Sequence, residues 1–572
     1  MRSARAAAGL LVEAGRWRSR HLDLSAAISA VLLITLGVAI AIGGITADTY
    51  LHRGVETSDE EPFVIQPTGD ALATNADLRL FLPGELQDVA GALETSGFSY
   101  VRQPVSWAEI EPEQGTYDWS EMDQIVNELA RREIEMVAVV QDAPEWSRDA
   151  DTLDAVDAPP IDPSALGSFM QEFTARYGDA VPFVQVWEEP NNPAHWGGMG
   201  ATPATFLPYL AAAHNGARAG NPEVQIVTPE LSWRTDPLTE RADLDFLEGL
   251  YGLGAEPFFD IVGIELDGGL TSPDDRRISA RRHNFSRAVL VRELMVRSED
   301  ASTPVWATSL GWARSADVPE SEQAEFVARA LERSWVEWPW MGLLFQWSFF
   351  GAGGAAEAYA MVQPDGTATQ LYRRLTDTEF QERTHLAETG FLPMDAPAVR
   401  DSGAWENQHL ENRTFRTTSE VGSEVTVQFR GTGAMAIMRI GPESGNVIVE
   451  IDGEPLEGGA GESGEEWDLT WSSTEDIPVD LVSGLDYGEH TLTIRLAEEG
   501  SLTLGGIVIE RQQPFVWPVV MLTAGALVSL FFGIRSIAVL IARHSGFLAR
   551  EDEQYVGTNH RSALALAGRG LR

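Results

Sequence analysis

Two long apolar runs lie near the two ends of the 572-residue sequence. No charged residue occurs from Leu24 to Ala47 or from Gln512 to Ile534, and about 20 apolar residues are enough for a helix to cross a bilayer. Arginines precede the first run and follow the second, and basic flanks stay in the cytoplasm. The sequence therefore predicts a cell-membrane protein with two spanning helices, both termini cytoplasmic and residues 48–513 extracytoplasmic.

The first run has an alternative interpretation as a cleaved signal peptide. Its apolar stretch is longer than the usual core of a signal peptide, and no clean small-residue cleavage site precedes Asp48. We therefore favour a retained anchor, and the middle of the chain is exported under either interpretation.

Between residues 71 and 383, short apolar runs alternate with amphipathic helical stretches. This alternation predicts a parallel sheet covered by helices. The predicted strands are 78–82, 100–105, 135–140, 182–187, 224–228, 260–264, 305–307 and 341–347, and the clearest helices are 120–132, 165–177, 202–219 and 321–335. Eight such strands favour an α/β fold of the TIM (β/α)8 barrel type. A doubly wound open sheet is the alternative, but the Gly-rich phosphate loop expected after an early strand is missing from the sequence.

After residue 401 the pattern changes to short strands of period two, separated by glycines, which predicts a β-sandwich. The predicted division of the chain is a basic cytoplasmic tail (1–23), a transmembrane helix (24–47), a stalk (48–70), the barrel (71–383), a linker (384–400), the sandwich (401–511), a second transmembrane helix (512–541) and a cytoplasmic tail (542–572).

Composition narrows the choice of partners. The chain has 41 Lys and Arg against 86 Asp and Glu, a formal charge of −45, and it contains no lysine. Such a field repels nucleic acid, so we expect no nucleic-acid partner. The absence of cysteine excludes disulfides and thiolate metal sites. The His, Asp and Glu residues show no metal-ligand spacing, so we expect neither a metal nor another cofactor.

Four stretches within the predicted barrel carry recognisable motifs. They are Trp107-Ala-Glu-Ile-Glu-Pro-Glu-Gln-Gly-Thr-Tyr-Asp-Trp119, Ala143-Pro-Glu-Trp-Ser147, Val186-Trp-Glu-Glu-Pro-Asn191 and Pro304-Val-Trp-Ala-Thr-Ser-Leu-Gly-Trp312. Their order and spacing over residues 70–375 resemble the clan A glycoside hydrolases, most closely family 39 and its family 5 and 42 relatives.

The resemblance implies two catalytic positions. In that clan a Glu in Trp-Asn-Glu-Pro, after the fourth strand, is the acid/base, and a Glu in Thr-Glu-x-Gly-Trp, after the seventh, is the nucleophile. Glu189 matches the first position, whereas Ser309 stands at the second. A retaining mechanism needs two carboxylates about 5–5.5 Å apart, and a serine without a basic partner is a weak nucleophile. The resemblance therefore predicts a barrel that has lost the retaining chemistry.

Further departures occur at the same rim. The clan's Asn before the acid/base, which hydrogen-bonds the sugar, is Glu188, and its usual His-x-Tyr after the sixth strand is Glu265-Leu266-Asp267. Arg102 corresponds to the clan's arginine on the second strand and is expected either to form a structural salt bridge or to contact a ligand. Tryptophans at strand ends either stack on sugars or pack in the core. The predicted substrate-binding set is Arg102, Trp187, Glu188, Asn191, Glu265, Asp267, Trp312 and Trp347.

The predicted sandwich resembles the jelly-roll modules that accompany carbohydrate-active enzymes. The resemblance rests on the run from Gly484 to Ile494, Gly-Leu-x-x-Gly-x-His-Thr-Leu-x-Ile. Trp467 and Trp471 either form a sugar platform or are ordinary surface residues.

Three functions are consistent with the sequence. The favoured one is a membrane-tethered protein that binds polysaccharide or oligosaccharide and has lost hydrolysis. The second is an active glycoside hydrolase that uses Glu189 with a relocated carboxylate, and Glu188, Glu265 and Asp267 are the candidates. The third is a non-catalytic scaffold of the cell envelope that binds a protein partner.

Overall fold

The computed structural model describes residues 28, 30–58, 63–66, 71–82, 84–152, 155, 157–233, 242–351, 353–410, 413–457, 466–512 and 516–567. The chain forms two compact units. One comprises residues 54–512, and the other comprises the two terminal segments, 1–53 and 513–572.

The first part of the larger unit is an eight-stranded parallel barrel, which confirms the predicted fold class. The strands follow the order β5-β4-β3-β2-β1-β8-β7-β6, and a parallel bridge between Val227 and Ile261 connects the two ends of the sheet. The strands are β1 (Leu72–Asn75), β2 (Phe98–Ser106), β3 (Glu135–Gln141), β4 (Phe183–Val186), β5 (Gln225–Val227), β6 (Val262–Asp267), β7 (Val305–Gly311) and β8 (Met341–Gln346).

The helices of this part lie between the strands and after the last one. They are α2 (Leu86–Thr95), α3 (Trp107–Ile110), α4 (Ser120–Ala130), α5 (Pro163–Tyr177), α6 (Pro203–Gly220), α7 (Ala242–Gly252), α8 (Ala288–Arg297), α9 (Glu320–Glu337), α10 (Gln370–Leu375) and α11 (Thr378–Arg383), where α1 is the helix Ala30–His52 of the other unit.

The first strand lies elsewhere than predicted. The run 78–82 forms a short 3-10 helix, Leu78–Phe81, because the Asp77 carboxylate accepts a hydrogen bond from the amide of Arg79 and turns the chain. The strand is the buried segment β1 instead. Ser120 is the first residue of α4, and the Asp118 carboxylate accepts a hydrogen bond from its amide at 3.0 Å.

The barrel has two apolar layers because strand side chains alternate between the helices and the axis. A small cluster that includes Tyr100, Phe183, Trp306 and Phe345 fills the interior. A much larger cluster packs the other strand faces against the helices. Trp306 is fully buried in the inner cluster, so its ring is part of the core.

The second part is a pair of antiparallel sheets with a shared core. One sheet has the order β10-β13-β19-β15-β16, with β17 paired to β15, and the other has the order β11-β12-β20-β14-β18, with β9 paired to β20. The strands are β9 (Gly390–Leu392), β10 (Val399–Ser402), β11 (Glu406–Leu410), β12 (Arg413–Thr418), β13 (Glu424–Gly431), β14 (Gly433–Ile440), β15 (Asn446–Ile451), β16 (Glu454–Pro455), β17 (Glu466–Asp468), β18 (Glu475–Val482), β19 (Gly488–Leu496) and β20 (Leu502–Glu510).

Parts of the predicted linker and of the predicted stalk pair with other elements of the larger unit. The predicted linker contains β9 and the start of β10. In the predicted stalk, the Glu56 carboxylate pairs with Arg292 of α8 at 3.0 Å, and its amide donates to the carbonyl of Glu337. The segment around Glu56 is thus packed against the barrel helices.

In the other unit, two helices are long and apolar enough to cross a membrane. One is α1, with a mean hydropathy of 2.4, and the other is the segment Val520–Gly546 of α12 (Val516–Ala567), with a mean hydropathy of 2.1. It is the length and the composition of the two helices that indicate this. The predicted tail 1–23 lies outside the described residues.

Candidate functional site

The residues after β4 form a turn with an unusual backbone. Trp187 and Glu189 have φ angles of +69° and +40°, values that non-glycine residues rarely adopt. The amide of Trp187 donates to the carbonyl of Val140, at the end of β3, and the amide of Glu189 donates to the carbonyl of Glu230, after β5. Contacts with both neighbouring strands therefore maintain this conformation, as is common at functional sites.

Glu189 lies at the mouth of the barrel and is partly accessible. Its Oε2 accepts a hydrogen bond from Asn192 Nδ2 at 2.7 Å, and His195 Nε2 lies 3.6 Å from the same oxygen. Burial raises the pKa of Glu189, an effect that the hydrogen bond from Asn192 opposes. A carboxyl group with a raised pKa and an open path to solvent has the properties of a general acid.

Arg102 and Glu230 form a buried ion pair beneath Glu189. Arg102 Nη2 lies 2.8 Å from Oε1 and 3.0 Å from Oε2 of Glu230, and the two side chains are 2% and 3% exposed. Gln185 Nε2 and Thr308 Oγ1 also donate to Oε2, at 2.5 and 3.0 Å. Asn75 accepts from Arg102 on its other side. The Glu230 carboxylate is consequently surrounded by donors and closed to solvent.

Glu230 is not among the site residues predicted from the sequence. It follows the predicted strand 224–228 by two residues. The carboxyl ends of the strands meet at the mouth of a barrel. The position of Glu230 just after a predicted strand could therefore have indicated it as a site residue.

Glu188 lies near the same guanidinium nitrogen of Arg102 as Glu230 does. Its Oε1 is 3.7 Å from Arg102 Nη2, and its side chain is 22% exposed. Burial raises the pKa of Glu188 to about 8; Arg102 lowers the pKa, while Glu230 and Glu189 raise it further. At neutral pH the group is therefore mainly a neutral acid that can donate a hydrogen bond.

β6 contributes two more carboxyl groups. Val262, Ile264 and Leu266 pack among the helices, so the alternating residues Glu265 and Asp267 lie on the axial face. Burial raises the pKa of Glu265 to about 8, and Glu189 and Asp267 add to the effect. Asp267 accepts hydrogen bonds from the Tyr359 hydroxyl at 3.0 Å and from the amide of Gly269 at 2.7 Å.

Ser309 lies at a β-bulge in β7. Ala307 pairs with Ile264 and Ser309 with Glu265, so Thr308 is an extra residue between them. Bulges re-aim side chains at barrel rims, and here the Thr308 hydroxyl bonds to Glu230. Ser309 is half-buried, and it has no carboxylate to supply at the end of this strand.

The other predicted binding residues either hold neighbouring loops through hydrogen bonds or lie at the rim of the barrel. Trp187 and Trp312 are buried, and their Nε1 atoms donate to the carbonyls of His195 and Thr271. The side-chain amide of Asn191 donates a hydrogen bond to the carbonyl of Ser232 and accepts one from the backbone N–H of Ser232. Trp347 is half-buried directly after β8. In this structure Trp187, Trp312 and Asn191 hold the loops that frame the mouth.

The geometry thus joins residues from four strands, β2, β4, β5 and β6, around one mouth. The structure brings together Arg102, Glu188, Glu189, Glu230, Glu265 and Asp267, which interact electrostatically. Among the described residues, no group of three or more His, Asp or Glu side chains is arranged to hold a metal ion.

This barrel and its mouth define a protein similar to the clan A glycoside hydrolases. The family model for family 42 glycoside hydrolases, described as beta-galactosidase, matches residues 85–149. No curated protein matches the sequence.

Solved structures with a similar fold include a family 39 glycoside hydrolase from Bacteroides cellulosilyticus WH2, with 16% identity, coverage of 78% of this chain and 81% of that one, and a TM-score of 0.46. A glucosidase from Croceicoccus marinus is 12% identical, with 79% and 98% coverage and a TM-score of 0.42. A family 5 enzyme from Streptomyces cattleya, solved with GlcNAc, is 12% identical, with 56% and 82% coverage and a TM-score of 0.42.

Proposed function

We propose that this protein is a membrane-tethered receptor for polysaccharide or oligosaccharide that does not hydrolyse its ligand by the retaining mechanism. The observation that carries this proposal is the position and the hydrogen bonding of the carboxylates around Arg102. Ser309 stands at the position of the nucleophile, and the carboxylate that pairs with Arg102 is Glu230.

Glu230 is a poor replacement nucleophile. Its side chain is 3% exposed, and Arg102, Gln185 and Thr308 all donate to it. Attack on a sugar carbon requires a free lone pair within reach of the substrate, so these contacts oppose a role in covalent catalysis.

Glu188 and Glu265 are also unsuited to that role near neutral pH. With pKa values of about 8 they are mainly protonated there, whereas a nucleophile or a general base must be ionised. As neutral acids they both donate and accept hydrogen bonds, which matches the hydroxyl groups of a sugar.

The apolar helices and the sandwich support a tethered arrangement. Each helix has the length and composition of a membrane span, and arginines flank the pair on the sides away from residues 48–513. We propose that residues 48–513 are extracytoplasmic and both termini cytoplasmic. In the sandwich, Trp467 packs in the core, whereas Trp471 is 53% exposed and is the residue available to a glycan.

The test uses the full chain in detergent micelles with a panel of plant and bacterial polysaccharides. Reducing-end release and retention on each immobilised glycan are measured in parallel, and Glu189→Gln is the control for hydrolysis. We expect retention on at least one glycan and no release above that of the control. Release that disappears in Glu189→Gln would show a working hydrolase, and neither release nor retention would favour a protein scaffold.

A second candidate function is inverting hydrolysis with Asp267 as the base. Asp267 accepts hydrogen bonds from the Tyr359 hydroxyl and the Gly269 amide, and Glu189 would be the acid. Inverting enzymes separate these two groups by about 6.5–9.5 Å. Release that is lost in both Asp267→Asn and Glu189→Gln, with inversion at the anomeric carbon, would support this candidate.

A further inference from the structure

A small cavity of 30 Å³ lies where the barrel meets the sandwich. On the barrel side its lining comes from the end of α9 and the start of β8. On the sandwich side it comes from residues 388–392, which include β9, a strand that pairs with β20. Gln66 of the predicted stalk completes the lining. Because the cavity borders the amino end of β8, it lies at the end of the barrel opposite the mouth and is separate from the candidate glycan site.

The lining of this cavity contains buried polar atoms that lack a partner. Four side-chain atoms have no hydrogen-bond partner among the described residues: Gln66 Oε1, Trp338 Nε1, Glu388 Oε2 and Thr389 Oγ1. Each of the four residues is at most 5% exposed. A polar group that is buried without a hydrogen bond is unfavourable, and nearly all such groups in folded proteins have a partner.

Two of these side chains are oriented by their other polar atom. Gln66 Nε2 donates to the carbonyl of Pro339 at 3.4 Å. Glu388 Oε1 contacts both Arg383 and Arg430. These contacts hold the two side chains in place and leave Gln66 Oε1 and Glu388 Oε2 as the unused acceptors.

A fifth unpartnered atom lies beside Gly342, a lining residue on β8. A Cβ at Gly342 would lie 2.4 Å from Gln66 Oε1 and 2.4 Å from Trp306 Nε1. Trp306 is fully buried, and its Nε1 has no hydrogen-bond partner in the part of the chain that the structure describes. One donor and one acceptor thus face the same point next to a residue that has no side chain.

We propose that this cavity is a binding site for about two water molecules, which connect the barrel, the sandwich and the segment of Gln66. The indole groups are donors, the amide and carboxylate oxygens are acceptors, and the Thr389 hydroxyl is both. A cation would satisfy only the acceptors and an anion only the donors, whereas water both donates and accepts. One buried water needs about 10–15 Å³ of such a cavity and 2–4 polar partners, so the volume and the five atoms fit about two. The inference does not depend on glycan binding.

The test is thermal unfolding of the full chain in detergent micelles after Thr389→Val. Valine keeps the branched shape of threonine and removes the hydroxyl group. If water is bound, it loses one partner, and we expect the Tm to fall by about 1–3 °C. An unchanged or higher Tm would show that the hydroxyl had no partner to lose, and would overturn the inference.

Ser423→Ala is the matched control. Ser423 Oγ is also buried without a hydrogen-bond partner among the described residues, but it lies beside Gly403 and does not line the cavity. We expect this variant to keep or raise the Tm. An equal fall in both variants would indicate a general effect of removing buried hydroxyl groups and would overturn the inference.

A crystal structure of the full chain, at a resolution that shows ordered water, is the direct measurement. Density for water within about 3.2 Å of at least three of the five atoms would support the inference. A cavity without density, or with density for an ion, would overturn it whatever the Tm values are.

Discussion

Arg102 and Glu230 come from distant parts of the chain, β2 and the segment after β5, and each is almost fully buried. Burial of charge is unfavourable unless the charge is paired and hydrogen-bonded, and Gln185, Thr308 and Asn75 complete these bonds. The pair is therefore fully hydrogen-bonded although it is buried, and the Arg102 guanidinium is not available to a ligand.

Removal of one partner should reveal this dependence. Because Arg102→Met leaves the Glu230 carboxylate buried without its cation, we expect the free energy of unfolding to fall by about 3–5 kcal/mol. Denaturant unfolding followed by circular dichroism measures the change. The double variant Arg102→Met/Glu230→Gln is the control and should recover a substantial part of the loss; a loss below about 1 kcal/mol in the single variant would contradict the argument.

The pKa values of Glu188 and Glu265 imply a pH dependence of stability. Their folded-state pKa values of about 8 lie above the ordinary value of 4.5, so the folded state binds these protons more tightly than the unfolded state. Their contribution is fully present below about pH 4.5 and is lost as the pH rises through 8. We expect Glu188→Gln/Glu265→Gln to lose less Tm between pH 5 and pH 8 than the parent does.

The control for this prediction is Glu172→Gln/Glu322→Gln, which removes two exposed carboxylates from α5 and α9. Its pH profile should follow that of the parent. Parallel profiles for the parent and the mouth variant would show that these two groups titrate normally.

At the scale of elements, close contact between α5 and α6 positions the segment after β4. Gly167 of α5 and Gly216 of α6 lie at the crossing, and a Cβ at Gly216 would come within 1.9 Å of the Gly167 carbonyl oxygen. Only glycine allows the two backbones to approach this closely.

Gly216→Ala should therefore separate the helices. We expect a loss of about 3 kcal/mol in the free energy of unfolding, at the upper end of typical overpacking, together with weaker glycan retention because Glu189 lies between these helices in sequence. Gly252→Ala, at the end of α7 with no atom within 4 Å of the added Cβ, is the control and should be nearly neutral. Equal effects of the two substitutions would exclude the helix contact as the cause.

At the scale of the whole molecule, Glu388 joins the barrel to the sandwich. Its carboxylate is 2% exposed and contacts Arg383 at the end of α11 and Arg430 of β13, the latter at 3.4 Å. Burial raises the pKa of Glu388, while the arginines lower it. One buried carboxylate thus connects cations from both parts of the unit 54–512.

Glu388→Ala removes this connection and leaves two arginines close together. We expect the parent unit to unfold in one calorimetric transition and the variant to show two transitions or a markedly broader one, since cooperativity depends on the interface. Asp476→Asn breaks an exposed ion pair with Arg439 inside the sandwich and should keep one transition. A single transition in Glu388→Ala would assign the coupling to apolar contacts instead.

The sequence alone determined the features that depend on local pattern. Strand and helix periodicity predicted the barrel and the sandwich, and the motif around Glu189 marked the mouth. The motif around Ser309 predicts that the carboxylate of the nucleophile is missing there. The two long apolar runs likewise predicted two long apolar helices near the ends of the chain. The strand at 78–82 was wrong because Asp77 starts a turn there, a side-chain bond that the apolar pattern does not reveal.

Only the tertiary structure decided how the mouth is charged. Arg102 and Glu230 are 128 positions apart in the chain. No spacing in the sequence indicates that these two residues form an ion pair. The protonation of Glu188 and Glu265 likewise follows from burial beside other carboxylates. Both properties arise from desolvation and from charges that the fold brings close together, and neither exists in the chain before it folds.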